Sequence, residues 1–472
     1  MRSVSFVAAY ALLAVYPLSF YLASTFDVGL VRVLQVGYAI SCAGWLMLLG
    51  RVWRDGSNRL VEQPPVGGIV CLLLAAVLLR LALLPAPPSD DVHRYVWEGR
   101  VRIAGFNPYV LAPDDERLAH LRDDSWAQIN HPDHPAIYPP WSQALCAGVA
   151  AVCPHPFAVK VLVLAADLLT ILVLVAWLRR RGEDPRWVAV YALCPVVLSA
   201  FARQAHLDAV MVLALACFLQ RCDRNARDGP RAGPASRANG IGVRRAVLTG
   251  AVLGFAVGAK WVPLLLLPWW VVWVALGAGK RIRDFATPAV GLASAVVVFA
   301  IPALFYADAG RALIGPLRSF ADDFHNLDAA RQVLALALNP TTLEWTARGI
   351  VLVTIAATAF RRVEPARAAL WTIGTAMLLA PTFHPWYLTW LLPALCVRRA
   401  WPWLVLAVTM VFAYEGDHLR ETTGDWSMPA WVVKWVFAPF FAAVALQAAS
   451  RLARRVRESR RSPSQPTTSP PA

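Results

Sequence analysis

The stretch 89-SDDVHRYVWEGRVRIAGFNPY-109, running on through a polar segment to 134-HPAIYPPWSQ-143, lies between long apolar runs. It holds adjacent carboxylates (Asp90, Asp91), an Arg-Tyr pair (Arg94, Tyr95), the turn Asn107-Pro108-Tyr109 and the proline pair Pro139-Pro140. A connection much longer than about 15 residues in an otherwise ordered chain generally has a function of its own. This loop is therefore the place to look for chemistry.

Its surroundings set the class. The chain has 472 residues, 58% of them hydrophobic, with 20 Trp and a mean hydropathy of +0.50. Apolar runs of about 15 to 23 residues, the length that crosses a bilayer as helix, recur as far as residue 449. The first run, Val4 to Ala23, has no convincing small-residue cleavage site and reads as an uncleaved anchor. The expected fold is an all-α polytopic membrane bundle of about twelve to fourteen spans with short interfacial helices in a large outer loop. Residues 1–86 are N-terminal membrane helices and 87–155 the outer loop with one short non-spanning helix. Residues 156–449 form the main bundle, with a cytoplasmic loop at 221–245, and 450–472 a basic tail. The run Ile137 to Cys153 would break the alternation of loops if it spanned. It reads as a re-entrant or interface-lying helix opened by Pro139-Pro140, since proline suits a helix's first turn.

A net charge of +15 raises nucleic acid as a partner, but the placement of the charge excludes it. The Arg residues cluster between apolar runs, as at 179–186, 361–367 and 451–461, which is the pattern of cytoplasmic loops. Both termini are then cytoplasmic and the chain sits in the plasma membrane. All nine histidines (93, 120, 131, 134, 155, 206, 325, 384, 418) fall on the opposite, outer side of that map. The inner face is expected to hold arginine and little else. Residues 222–243 and the tail from Glu458 have disordered composition. The eight cysteines show no redox or zinc spacing, and no ATP, GTP or dinucleotide fingerprint occurs.

The order of blocks carries a resemblance. The acidic pair followed by RYVWEG, then GFNPY and YPP, resembles membrane glycosyltransferases of the GT-C superfamily. It is closest to the bacterial polyprenol-phosphate-mannose-dependent group (glycosyltransferase family 87) and similar to the first mannosyltransferase of GPI-anchor assembly. Four further blocks follow in family order: 160-KVLVLAADLLT-170, Cys194-Pro195 with 204-QAHLD-208, 260-KWVP-263, and 384-HPWY-387 with Trp390 and Pro393. The resemblance implies inverting transfer of one sugar, mannose above others, from a polyprenyl-phosphate carrier to a lipid or glycan hydroxyl at the outer face. It implies no nucleotide and no other cofactor, with a divalent metal left open. The partners are membrane lipids, the lipid-linked donor and the acceptor.

Such chemistry needs a carboxylate base on the acceptor hydroxyl and cations at the departing phosphate. Asp90 and Asp91 are the candidates for the base; their side chains diverge, so one faces substrate while the other structures the loop or caps the helix starting near Val92. Arg94 shares a helix face with them and either meets phosphate or holds a carboxylate. Asn107, Tyr109, Tyr95 and Tyr138 are expected to shape or line the substrate groove. His206 and Asp208 enter from the outer side, where a carboxylate at membrane depth is costly unless paired or wet, and Arg203 is a nearby cation. Lys160 and Lys260 belong to a chain with four lysines, and a compact ammonium suits a phosphate oxygen. His384 and Tyr387 are candidates for sugar or phosphate contact; Asp322, Asp323, His325 and Asn326 form a second outer polar loop suited to an acceptor. The competing class is a lipid flippase or secondary transporter. That class places polar groups in broken helices near the midplane of two related halves, whereas here they gather at one face.

Overall fold

The structure is a computed structural model and describes residues 2–26, 29–57, 66–231, 242–276, 285–315, 324–424 and 427–461. Asp322 and Asp323 of the second polar loop lie outside the described residues, as do 232–241 and the tail from residue 462. Among the described residues every extended element is helical, apart from one isolated parallel bridge between Asn326 and Thr382.

Six helices are long and apolar enough to cross a membrane: Phe6–Phe26, Leu30–Gly56, Pro156–Arg181, Ala286–Leu313, Pro340–Phe360 and Ala430–Arg454. A seventh span is possible as the pair Pro185–Ala192 and Pro195–Arg203, bent by 50°. Several other runs read from sequence as spans are shorter or broken, and proline is the reason. Pro195, Pro263, Pro385 and Pro402 each stand in the first turn after a break, where the missing N–H is tolerated but the preceding helix cannot continue. The 137–153 run is a 13-residue helix, Pro140–Val152, opened by proline, and at 1.5 Å per residue it reaches only about 20 Å.

Two stretches with disordered composition are helical where they are described. The Asp208–Arg231 helix runs past Cys222, and the Ala430–Arg461 helix runs past Glu458. A helix nucleated in a buried segment propagates into polar sequence at little cost.

The helices pack closely where side chains are smallest. A Cβ on Gly254 would meet the backbone of Ala295, so the 243–259 and 286–303 helices touch through small residues, a common device between membrane helices. Gly99 does the same for the loop: its missing Cβ lets the helix Asp90–Ile103 lie against Cys146 of Pro140–Val152. Glu98 of the first helix then accepts from Gln143 of the second at 2.5 Å.

Charge separates along the helix axes. Pro156–Arg181 is 26 residues long, so His155 and Arg181 lie about 39 Å apart at its two ends. At the arginine end, Arg181 pairs with Glu183 (2.6 Å) and Asp223 (2.7 Å), and Arg186 with Asp55 (2.9 Å) and Asp184 (2.7 Å). That end was expected to hold arginine and little else; its arginines are in fact paired with neighbouring acids (Glu183, Asp184) and with acids from other helices (Asp55, Asp223). Between the ends lies one fully buried pair. Arg80 Nε donates to Asp167 Oδ2 at 2.6 Å and Nη2 to Oδ1 at 3.2 Å, Tyr191 donates to Asp167 Oδ1 at 2.9 Å, and Nη1 reaches the carbonyls of Ala76 and Ala192. Asp167 is thus a helix-packing partner.

Candidate active site

A cavity of about 830 Å³ opens at the histidine end. Its wall has a helical part, with Tyr16, Val31, Leu34 and Tyr38 from the first two membrane-length helices, and a loop part that includes Asn130, His131 and Phe324. Asp90, Asp91, Arg94, Tyr138, Arg203, His206, Lys260, His384 and Tyr387 all line it.

The two adjacent aspartates part company here. Asp90 Oδ1 accepts the N–H of Asp91 (3.0 Å), and its Oδ2 accepts from Arg420 (2.8 Å) on the helix Glu415–Thr423. That helix is itself seated on Leu30–Ser57, because Glu421 accepts the N–H groups of Leu30 and Val31. The helix Asp90–Ile103 starts at Ser89, yet the Ser89 hydroxyl does not cap it; the hydroxyl and the Ser89 N–H both donate to the Gln204 carbonyl, each at 3.1 Å. This ties the start of the loop helix to the chain entering His206.

Asp91 points the other way. Its Oδ1 accepts from Asn130 Nδ2 at 2.6 Å, and its Oδ2 lies 3.2 Å from His206 Nδ1. Burial pushes the Asp91 carboxyl up, but the His206 contact, the Asn130 amide and the Lys260 charge outweigh it and hold the group well below the usual carboxylate range. Asp91 is therefore ionised across the whole physiological range, on the wall of the cavity.

His206 is placed by broken backbone. Leu198–Arg203 is a π turn, Ala205 has φ +60°, and the His206 N–H donates to Ala200. A positive φ at a non-glycine residue is strained and persists where its surroundings over-determine it. The imidazole stacks on Trp386 at 4.0 Å, and His384 stacks on the other face of the same indole at 4.3 Å. Both faces of Trp386 are occupied, so it braces two histidines and leaves no face open for a sugar. Burial pushes His384 down to about 4 against the pull of the Asp91 and Asp208 carboxylates, so it is neutral at pH 7.

Behind this row sits the pair Lys260–Asp208. The Lys260 ammonium is 2.9 Å from Asp208 Oδ2, and Trp390 Nε1 donates to Asp208 Oδ1 at 2.6 Å. The same ammonium lies 5.0 to 5.6 Å from the ring centres of Tyr138, Tyr387 and Trp390, a three-ring cage that favours a cation. Lys260 keeps 16% of its side chain exposed and lines the cavity, while the Asp208 side chain is fully buried. Among the described residues, no group of three or more His, Cys, Asp or Glu side chains is arranged to hold a metal ion.

Five of the candidate contact residues are engaged by the protein itself. Arg94 is on the cavity wall, but its donors are all occupied: Nε by Glu98, Nη1 by the carbonyls of Asn130 and His131, Nη2 by those of His134 and Pro135. With five donors in a guanidinium, none remains for a phosphate; Arg94 pins the 130–135 loop beside Asp91. The Lys160 ammonium is buried on the carbonyls of Ala86 (2.5 Å) and Leu83 (3.4 Å), away from the cavity, where it caps the end of the Val66–Leu83 helix. Asn107 accepts from its own turn at Tyr109 and donates to Asp308 (2.7 Å). The Tyr109 hydroxyl donates to the Tyr138 carbonyl (2.6 Å), and Tyr95 shares a 3.0 Å hydroxyl contact with Tyr138. Asn107, Tyr109 and Tyr95 are the buried support of Tyr138, which does face the cavity.

Residues 6–277, more than half of the chain, match the family model described as alpha-(1->6)-mannopyranosyltransferase, N-terminal domain. The chain belongs to the alpha-(1->6)-mannopyranosyltransferase family. It is a multi-pass membrane mannosyltransferase. No curated protein is significantly similar in sequence. Among solved structures, ArnT from Cupriavidus metallidurans bound to undecaprenyl phosphate matches over 83% of this chain and 73% of its own, with 18% identity and a TM-score of 0.45. The Archaeoglobus fulgidus oligosaccharyltransferase tethered with an acceptor peptide matches over 80% and 55%, with 12% identity and a TM-score of 0.36.

The family match ends at residue 277, yet His384, Trp386 and Tyr387 from the C-terminal half line the same cavity of this mannosyltransferase, and Trp390 holds Asp208. Sequence reasoning missed three parts. Asn130 and Arg420, the partners that separate Asp91 from Asp90, lie in no motif, and Arg80 sits in an apolar run far from Asp167. Arg80 carried the one available signal, since an arginine within an apolar helix requires a buried acid.

Proposed function

We propose that this mannosyltransferase takes mannose from a polyprenyl-phosphate carrier and passes it, with inversion, to a lipid or glycan hydroxyl at the outer face of the plasma membrane. In this reading both termini are cytoplasmic, as the arginine end of the bundle favours. Asp91 takes the acceptor hydroxyl proton as that oxygen bonds to the sugar's anomeric carbon. The bond from that carbon to the phosphate oxygen breaks on the opposite face, and the lipid phosphate departs with its electron pair toward Lys260 and Arg203. The charge of the departing phosphate is assigned to these side chains rather than to a divalent metal. The observation that carries the reading is the ionised Asp91 in one cavity with Lys260 and Arg203, beside Val31, Leu34 and Tyr38 of a membrane-length helix that could guide a lipid tail.

The experiment is transfer from radiolabelled polyprenyl-phosphate mannose by the purified protein in liposomes, with no nucleotide sugar, and with donor and acceptor confined to the face bearing the 89–143 loop. Label should pass to the acceptor only in that orientation. Movement of intact carrier across the bilayer without sugar transfer would replace the transferase with the flippase.

A further inference from the structure

The helix Ala430–Arg461 is 32 residues long, and its portion Ala430–Arg454 is one of the membrane-length helices. It starts just after the Glu415–Thr423 helix, whose Arg420 meets Asp90, and so at the cavity end of the bundle. Val432, Val436, Phe437, Phe440 and Ala443 are buried in its first half; beyond Ala443 none of its described residues is buried. Trp431 (44% exposed) and Trp435 (59% exposed) give its depth, because exposed tryptophans gather at the level of the lipid headgroups. About twenty residues of helix cover the hydrocarbon, which is about 30 Å thick. Counted from those two tryptophans, the opposite boundary falls between residues 451 and 455.

At that depth stand Arg451, Arg454 and Arg457, all exposed. Their side chains make no ion pair among the described residues. At the same end, by contrast, Arg181 pairs with Glu183 and Asp223, Arg398 with Glu364 and Arg399 with Glu183. Successive helical residues are turned by about 100°, so the three arginines share about 120° of the helix surface. Leu452 and Val456, both exposed, centre on the opposite side. An arginine at a membrane boundary lays its stem on hydrocarbon and carries its head to the polar layer, where the guanidinium forks onto phosphate oxygens. A phospholipid surface supplies acceptors for the one face and acyl carbon for the other.

We propose that residues 451–457 form a binding site for anionic phospholipid headgroups in the leaflet at the arginine end of the bundle. The arginines take the phosphodiester oxygens, and Leu452 with Val456 meets the outermost acyl carbons. Charge selects an anionic lipid over a zwitterionic one, because a choline head brings its own cation to the phosphate. A row of arginines that only recorded the orientation of the chain would need no aliphatic face behind it. The site lies at the far end of the helix from the cavity and does not depend on the transfer reaction.

The test uses the full-length protein in nanodiscs of phosphatidylcholine, alone or mixed with phosphatidylglycerol, and counts the lipids it retains by native mass spectrometry. The native protein should retain phosphatidylglycerol above its share of the nanodisc. Arg451→Gln, Arg454→Gln and Arg457→Gln should each lower the relative affinity for that lipid about fivefold, and the triple change about a hundredfold. The corresponding triple change to Lys should stay near native. Added salt should erase the preference of the native protein and alter the triple Gln variant little. Glycerol phosphate at matched ionic strength should leave the lipids in place, since it lacks the acyl chains that meet Leu452 and Val456. The variants change exposed side chains alone and should unfold at the native temperature in neutral detergent; the lipid and salt series on the native protein stands without them. Equal retention of the two lipids, a preference that survives the triple Gln change, or displacement by glycerol phosphate would overturn the site. So would a doubled mass in phosphatidylcholine that the triple Gln change abolishes, which would make a second copy of the chain the occupant.

Discussion

Two of the acid–base pairs in this bundle are used in opposite ways. Arg80–Asp167 is fully buried and complete: the carboxylate also takes the Tyr191 hydroxyl, and the guanidinium also takes two carbonyls. Lys260–Asp208 has a buried acid just as well held, by Lys260 and Trp390, but its cation is part exposed in a cavity. A buried ion pair contributes little net stability because desolvation offsets attraction, while leaving one partner alone is strongly destabilising. The difference teaches that a charged residue in a membrane helix signals function only when part of its hydrogen-bonding capacity still faces open space. Lys260 passes that test. Arg80, Asp167, Arg94 and Lys160 do not.

The sharpest way to break the contrast is at Asp91, whose carboxylate faces the cavity while that of Asp90 is tied to Arg420. Asp91→Asn should cut turnover by about a hundredfold to ten-thousandfold, the range for a lost general base, at near-normal protein level. Asp90→Asn should cost less than about tenfold, since Asp90 acts only through the position of its helix. Should Asp90→Asn prove the more damaging, the base moves to Asp90; should both variants keep more than about a tenth of native turnover, Asp208 becomes the leading candidate.

The two ion pairs can then be cut in parallel. Arg80→Met or Asp167→Leu alone should remove about 3–5 kcal/mol of stability, and the double variant should recover most of it. Turnover per folded molecule should stay near native throughout, read from thermal unfolding in detergent beside the transfer assay. For Lys260→Gln and Asp208→Asn, the double variant should recover stability but not turnover. Recovery of turnover in that double variant would demote Lys260 to a structural cation.

The smallest effect is a shift in pH dependence. Because the Asp91 carboxyl is held below the ordinary aspartate pKa of about 3.9, kcat/KM should survive acidification through that value and fall only beneath it. Burial alone raises this group, and His206 is the largest influence opposing burial. His206→Asn should therefore move the acid limb of the profile to higher pH. An acid limb that stays in place would separate the titrating base from Asp91.

How much of this was legible follows from what kind of partner each residue has. Asp91, Tyr138, Arg203, His206, Lys260, His384 and Tyr387 stand in short motifs and converge on one cavity, so residue type and order were enough to nominate them. Arg94, Lys160, Asn107 and Tyr109 stand in the same motifs and resemble them in type, yet their partners are mainly backbone carbonyls or buried loop groups. A carbonyl leaves no mark in a sequence, because every residue has one. Asn130 and Arg420 fail in the other direction: each matters through a partner that no local pattern predicts.

The sequence by itself determined that this chain lives in a membrane, because the length and composition of apolar runs decide how a segment meets hydrocarbon. It also nominated the end away from the arginine clusters for the chemistry, because the charge pattern of the loops is written residue by residue. Only the tertiary structure decided which of two neighbouring aspartates faces His206. Successive side chains on a helix diverge by about 100°, so Asp90 and Asp91 cannot point the same way. Which one is turned inward depends on Asn130 and Arg420 arriving from distant parts of the chain. The same holds for Lys260, whose charge is balanced by Asp208 and caged by Tyr387 and Trp390. Those groups become neighbours only when the bundle closes.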